Sequence, residues 1–159
     1  MSFRIRPADP VRDRAAMLSY IDGLQAFEHA VEPNRRLDAS VAADHMAVLD
    51  KRLAERGGAT FLAEDDGGPL GWAVVHEMQD DTFVVEAERQ VAYIDELYLI
   101  ERARGLGAGG ALIAACEKWA KGRGIGIMMI GVLDKNPHAH AVYNAAGYGD
   151  YALQLRKYL

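Results

Sequence analysis

The sequence has one cysteine, no long apolar run and no excess of positive charge, and each shortage excludes a class of protein. The lone thiol, Cys116, cannot form an internal disulfide and fits a reducing compartment. No apolar stretch approaches the roughly 20 residues that span a membrane. The formal net charge of −5 argues against general nucleic-acid binding, which usually requires a basic surface. We therefore expect a cytoplasmic protein without membrane or nucleic-acid partners.

The chain is long enough for one domain with a real core, and we expect residues 1–159 to form a single unit. Its apolar periodicity predicts an α/β fold with a mixed sheet. Helices are predicted from Asp9 to Phe27, from Asp38 or Ser40 to Leu53, at about 110–121 and from Asn136 to Gly147. Strands are predicted at 3–7, 59–64, 71–78, 82–86, 91–99, 125–133 and 148–158. The nearly all-apolar run at 125–133 favours a strand buried on both faces.

A glycine-rich loop, residues 104–110, lies between the strand at 91–99 and the next helix. It begins with Arg104 and contains four glycines. Glycines let a backbone approach a bulky group closely, and the first turn of a helix presents free amides and a positive dipole end. The loop therefore predicts an anion site, and a pyrophosphate is the expected ligand.

One interpretation of this loop is a dinucleotide site, because Gly105 to Gly110 matches G-x-G-x-x-G and Asp134 follows a later strand. That fingerprint belongs at the first strand of a doubly wound domain. Here helices and strands precede it, and too little chain follows it for the remaining crossovers. A Rossmann protein is therefore the remote alternative.

The same loop also reads as Arg104-x-x-Gly107-x-Gly109 after a strand and before a helix. In this form it resembles the (Q/R)-x-x-G-x-(G/A) signature of the GCN5-related N-acetyltransferase (GNAT) superfamily. A second similarity follows on the last predicted helix, where Asn136 and Tyr143 lie seven residues apart and precede Gly147-Tyr148. The resemblance implies a three-layer fold, with a mixed central sheet whose two parallel strands splay apart and are flanked by helices.

The resemblance further implies that acetyl-coenzyme A is the cosubstrate and lies where the strands splay. The backbone groups of Leu97 and Leu99 would pair with its pantetheine arm, and Asn136 would hydrogen-bond the same arm. The pyrophosphate would lie against the glycine loop, beside Arg104. The loop amides expected to bind it belong to Gly105, Gly107, Ala108, Gly109 and Gly110.

The resemblance assigns Tyr143 as the general acid for the thiolate leaving group. Asp95 and Glu96 are candidate bases for the acceptor amine, directly or through water. Neighbours on a regular strand point to opposite faces, so only one of the two is expected at the cleft unless the strand is bulged. Either residue could instead have a plain surface role.

The expected reaction is transfer of an acetyl group to a primary amine of a small molecule: a polyamine, an amino-acid derivative or an aminoglycoside. The family determines its acceptors by the first two helices and the loops between strands, and the candidates there are Phe27, Glu28 and Glu77. A protein N-terminal or lysine acetyltransferase and a non-catalytic coenzyme-A-binding module are the alternatives. No metal is expected, because His138 and His140 diverge on their helix. The apolar alternation at the end of the chain and the resemblance together suggest a homodimer.

Overall fold

The computed structural model describes residues 2–159, which form a five-stranded sheet and four α-helices. Two short 3₁₀ turns, at Glu86–Glu88 and Glu101–Ala103, flank the fourth strand. In chain order the elements are β1 (Arg4–Pro7), α1 (Arg14–Val31), α2 (Val41–Arg56), β2 (Gly58–Asp65), β3 (Gly68–Gln79), β4 (Gln90–Leu99), α3 (Ala108–Gly122), β5 (Met128–Ile130) and α4 (Pro137–Ala145). Within residues 2–159, no helix is long and apolar enough to cross a bilayer.

The strands follow one another across the sheet in the order β1-β2-β3-β4-β5. The first four are antiparallel, and only β4 and β5 run parallel, joined by a crossover through α3. This mixed sheet confirms the predicted fold class. It excludes the Rossmann alternative, whose sheet is mostly parallel and doubly wound.

Two apolar clusters cover the two faces of the sheet and make the fold three layers deep. On one face, Ile21 of α1 and Leu49 of α2 pack against Trp72 of β3. On the other face, α3 buries Leu112 and Cys116 against the sheet. Cys116 is fully buried, and burial raises the pKa of its thiol to about 12, so it is a core residue.

The first helix begins later than predicted, at Arg14. The Asp9 carboxylate accepts the amides of Val11 and Arg12, which makes the preceding segment a turn. The buried Asp13 carboxylate accepts two hydrogen bonds from Arg6 of β1, at 2.6 and 2.9 Å. This ion pair connects the start of α1 to the edge of the sheet.

Three predicted strands differ from the structure. Residues 82–86 form a loop instead of a strand, because the Arg89 side chain binds the Val84 and Thr82 carbonyls. The strand predicted at 125–133 is only Met128–Ile130 and is half-buried, since it pairs with three residues of β4 and with nothing on its other side. The strand predicted at 148–158 is absent, because no described strand pairs with that segment.

One irregularity in β4 positions the site. Val74 of β3 pairs with Glu96, but the next residue, Val75, pairs with Ile94. Asp95 is therefore an extra residue, which makes β4 bulged at this point. A bulge changes the direction of side chains and strengthens the local twist.

Candidate active site

The site is a cleft between the two parallel strands. β4 and β5 pair only as far as Ile94 and Ile130, while β4 continues to Leu99 with only β3 beside it. The separation opens a cleft of about 220 Å³, which the side chains of Leu97 and Leu99 line. Buried backbone groups need partners, so this side of β4 can accept a ligand that carries amide groups. The splayed parallel strands expected from the sequence are present.

At one end of the cleft, α3 begins with the predicted glycine loop. Gly107 precedes the helix in the left-handed conformation, with φ 85°, and its carbonyl accepts the amide of Ala111 at 3.1 Å. The amides of the first turn have no intrahelical acceptor and lie at the positive end of the helix dipole. A Cβ added at Gly105, Gly107 or Gly110 would meet no atom within 4 Å. The loop therefore has open space beside it and can hold an anion such as a pyrophosphate.

Arg104 and Gly109 are the loop residues that line the cleft itself. The Arg104 side chain turns away from the glycines, and its Nε donates to the Leu99 carbonyl at 3.1 Å. Its guanidinium lies 5.7 Å from the ring centre of Phe27 and 5.8 Å from that of Tyr98. The other loop residues named from the sequence lie at the start of α3, outside the cleft lining: Gly105, Gly107, Ala108 and Gly110.

The opposite wall comes from α4. Asn136 caps this helix, since its Oδ1 accepts the Ala139 amide at 3.1 Å, and Pro137 takes the first helical position. Asn136 and Tyr143 both line the cleft, two helical turns apart. The Tyr143 ring also packs against the core, 6.4 Å from Tyr148. Burial raises the pKa of Tyr143 to about 12, so its phenol carries a proton at neutral pH and can donate it.

The two candidate bases do not point to opposite faces. The Asp95 carboxylate contacts Arg52 of α2 at 2.5 Å, and the Glu96 carboxylate contacts His45 of the same helix at 2.6 Å. Both side chains therefore lie on the α2 face of β4, which is the exception that a bulged strand allows. The bulge at Asp95 is the physical reason, because the extra residue removes the alternation between these two positions.

The two carboxylates differ in their surroundings. Asp95 lines the cleft, and its Oδ2 also lies 3.2 Å from Nε2 of the buried His76. Burial opposes its ionisation, but hydrogen bonds from His76 and Arg52 outweigh burial and hold the pKa of Asp95 below its usual value. Glu96 is 5% exposed and does not line the cleft. Burial raises the pKa of Glu96, and His45 offsets that effect only in part.

One face of α1 also lines the cleft. Leu24, Phe27 and Glu28 lie at helical spacing and line the cleft together. Glu28 also forms an ion pair with Arg35 at 2.6 Å. Glu77, the third residue expected near the acceptor, is not brought to the cleft. It pairs with Ala92 before the strands separate, and Arg123 binds its carboxylate.

Sequence reasoning missed several residues of this region: His45 and Arg52 of α2, His76 of β3, and Tyr93 of β4. Tyr93 lines the cleft, and its hydroxyl lies 2.7 Å from where a Cβ at Gly131 would be. His45 and Arg52 share a helix face because they are two turns apart, which the spacing could have indicated. Nothing local in the sequence indicates which carboxylates they contact, because those partners lie more than 40 residues away.

The comparisons with known proteins agree with this geometry. A sequence model of the Acetyltransferase (GNAT) family matches residues 24–148. The aminoglycoside N(6′)-acetyltransferase type 1 of Stenotrophomonas maltophilia is 31% identical over 108 residues, which cover 67% of this chain and 70% of that protein. An aminoglycoside antibiotic 6′-N-acetyltransferase from Acinetobacter haemolyticus has a similar structure, with a TM-score of 0.71, 18% identity and coverage of 98% and 99% of the two chains.

A predicted acetyltransferase from Clostridium acetobutylicum, solved with acetyl-CoA, gives a TM-score of 0.74 at 20% identity and covers 99% of this chain and 96% of that one. The family match and the acetyltransferase relatives show that the chain, with its three-layer mixed sheet, is an acyltransferase. The chain belongs to the GNAT acetyltransferase family, whose members use acetyl-CoA as cosubstrate.

Proposed function

We propose that this enzyme transfers the acetyl group of acetyl-CoA to the primary amine of a small molecule bound in the cleft between β4 and β5. The observation that carries the proposal is the end of strand pairing at Ile94 and Ile130, while β4 continues to Leu99. From there, the β4 backbone that β5 does not pair with extends toward the free amides at the start of α3. A ligand with an amide-bearing arm and a pyrophosphate matches both features.

Tyr143 is the proposed general acid. Its side chain lines the cleft, and its raised pKa keeps the phenol protonated at neutral pH. A phenol placed at the leaving sulfur would give up its proton as the carbon–sulfur bond breaks. The neutral amine forms the new carbon–nitrogen bond, and its surplus proton passes to a carboxylate of β4.

The acceptor is proposed to be a cationic amine, because two carboxylates line the cleft. Glu28 of α1 and Asp95 of β4 both line it, and Phe27 adds an aromatic surface. A carboxylate held in its charged form by Arg52 and His76 attracts an ammonium group. Similarity to the Stenotrophomonas enzyme favours aminoglycosides among the three classes expected from the sequence.

A panel of amines tests this function by release of free coenzyme A thiol. The panel contains aminoglycosides with and without a 6′-amine, polyamines, amino-acid derivatives and lysine peptides. We expect turnover with at least one small amine, formation of the N-acetyl product by mass spectrometry, and loss of turnover in Tyr143→Phe. Turnover with peptides alone would overturn the small-molecule assignment, and no binding of acetyl-CoA in calorimetry would overturn the assignment of the cleft.

A further inference from the structure

Two neighbouring carboxylates of the bulge have different partners, although both lie under α2. Oδ2 of Asp95 contacts two nitrogens, Arg52 Nη1 at 2.5 Å and His76 Nε2 at 3.2 Å. Oε1 of Glu96 contacts one, His45 Nε2 at 2.6 Å. The other oxygen, Oε2, is buried and has no hydrogen-bond partner within residues 2–159. A buried carboxylate oxygen without a donor favours the protonated form of the group.

Charged and titratable groups of α1, α2 and β4 surround Glu96. Glu28 of α1 and Asp95 of β4 are negative and oppose its ionisation, whereas His45 of α2 supports it. Arg52, from the same helix, is engaged by Asp95. His45 is thus the one positively polarised group that directly contacts Glu96 among the described residues. Without His45, the ionised Glu96 would be subject only to burial and to two nearby negative charges, all of which oppose its ionisation.

We propose that His45 is a positioning residue for Glu96, acting on the acetyl-transfer reaction proposed above. Its Nε2–H holds Oε1 and thereby leaves Oε2 as the oxygen that takes the surplus proton of the acceptor. Glu96 does not line the cleft, so the proposal requires one water molecule between the acceptor nitrogen and Oε2, which takes a proton from nitrogen and gives one of its own to Oε2. An N–H bond of the ammonium breaks, its electron pair stays on nitrogen, and an O–H bond forms at Oε2.

The roles of the two carboxylates then divide according to their environments. Groups whose surroundings separate their proton affinities are suited to different tasks in acid–base chemistry. Asp95, paired with Arg52 at the cleft, stays charged and binds the acceptor cation. Glu96, buried with a single donor, takes up and releases a proton. Since both Arg52 and His45 belong to α2, this helix maintains the difference in proton affinity between the two consecutive carboxylates.

The test compares His45→Leu with His45→Gln in pH profiles of kcat, using the acceptor found in the amine panel. Leucine removes the donor, so the pKa of Glu96 rises. The acidic limb of the pH profile should then move to higher pH by about one unit, which corresponds to the free energy of one hydrogen bond. Glutamine keeps an N–H donor. We therefore expect a higher kcat in His45→Gln than in His45→Leu, and an acidic limb of the pH profile close to that of the parent. A limb that does not move in a folded His45→Leu variant overturns the proposal.

A matched control is His140→Leu. His140 binds Asp150 at the same 2.6 Å, but it does not line the cleft. Its loss should leave the limb in place, and a limb that moves equally in both variants would overturn a specific role for His45.

A second measurement needs no acceptor and separates this inference from the proposed function. An NMR titration follows the His45 imidazole in the parent and in Glu96→Gln. Glu96 raises the pKa of His45, so the glutamine variant should lower it toward the usual value of about 6.5. An unchanged titration overturns the coupling even if the enzyme is active. A lowered one supports it even if every amine in the panel fails.

Discussion

Asp95 and Glu96 are consecutive residues of β4, yet their carboxylates contact Arg52 and His45 on the same face of the same helix. In a regular strand they would point to opposite faces. The extra residue at Asp95 changes this, and it does so at the end of the cleft where the acceptor is expected. The fold can therefore place a fixed negative charge and a titrating carboxyl side by side.

Asp95→Asn and Glu96→Gln should affect different kinetic constants. Asparagine removes the charge that attracts the amine, so KM for the amine should rise about tenfold or more while kcat changes less. Glutamine removes the proton acceptor, so kcat should fall about 10²-fold or more. Steady-state kinetics with chemistry as the slow step distinguishes the two. Equal effects of both substitutions on kcat and KM would mean that the carboxylates act as one unit.

Gly110→Val should weaken acetyl-CoA binding without unfolding α3. A Cβ at this position meets no protein atom within 4 Å, so the new side chain enters the open space beside the first helical turn. We expect calorimetry to show a loss of at least about tenfold in affinity, or about 1.4 kcal/mol. Gly122→Val is the matched control, because it lies at the other end of the same helix in equally open space.

The Gly110→Val variant should retain its thermal stability, because valine is a better helix former than glycine. Equal affinities in the two variants would remove the glycine loop from the binding site. The left-handed Gly107 is less suitable for this test, since a side chain there strains the backbone whatever binds beside it.

Tyr143→Phe should lower turnover by about 10²–10⁴-fold and change the affinity for acetyl-CoA only slightly. The phenylalanine ring keeps the packing against the core, and only the proton donor is lost. Single-turnover kinetics and calorimetry measure the two effects separately. Full turnover in the variant would leave Tyr143 with its packing role alone.

Much of the site was predictable because its signals are local. The loop at 104–110 and the start of α4 combine backbone requirements with short spacings, and each contributes residues to the cleft lining. The fold class was predictable for the same reason, since helical and strand periodicities extend over the long elements. The errors lie at the ends of elements and in segments with little or no strand pairing, such as 125–133, where only Met128–Ile130 pairs with β4.

The arrangement of the acceptor side could not be predicted, because it depends on contacts between distant residues. Whether Asp95 forms a bulge is decided by its register with β3, and no residue type at that position requires one. The partners His45 and Arg52 come from α2, across the sheet face. The position of the Arg104 side chain likewise depends on Phe27 and Tyr98, which only the folded chain brings together.

The stability of the fold should decrease in acid through Asp13. Its carboxylate is almost fully buried and bound by Arg6, whose hydrogen bonds hold the pKa of Asp13 well below its usual value. A carboxyl whose pKa is lowered by folding stabilises the fold at pH values above its pKa in the unfolded chain, which is near 4. That stabilisation is lost progressively as the pH falls below about 5. Urea unfolding at several pH values should show this loss in the parent chain and a flatter dependence in Asp13→Asn.

At neutral pH the Asp13→Asn variant should already be less stable, by about 1.5–3 kcal/mol, the scale of hydrogen bonds to a charged group, because Arg6 keeps only Glu64 as a carboxylate partner. The control is Asp50→Asn, which breaks an exposed ion pair with Arg14 and should cost less than about 1 kcal/mol. A parent and an Asp13→Asn variant that lose stability in parallel on acidification would assign the acid sensitivity to other carboxylates.

Residues 151–159, at the end of the chain, expose large apolar side chains. Those most exposed are Tyr151, Leu153, Leu155, Tyr158 and Leu159. The segment is held to the rest of the molecule by an ion pair between Arg156 and Glu32, at 2.8 Å. β5, at the edge of the sheet, pairs on one side only. Exposed apolar segments and open strand edges both favour association, so we expect a second copy of this chain to cover them.

Light scattering at micromolar concentration should therefore give about twice the 17.4 kDa of one chain. Leu153→Asp combined with Leu155→Asp should return the mass to that of one chain, because both side chains are exposed in one chain and cannot be buried when charged. Val11→Asp is the control, since Val11 is equally exposed but lies at the start of the chain's first turn, away from the segment. A monomeric parent would refute the dimer, and a dimer that persists in the double variant would place the interface elsewhere on the molecule.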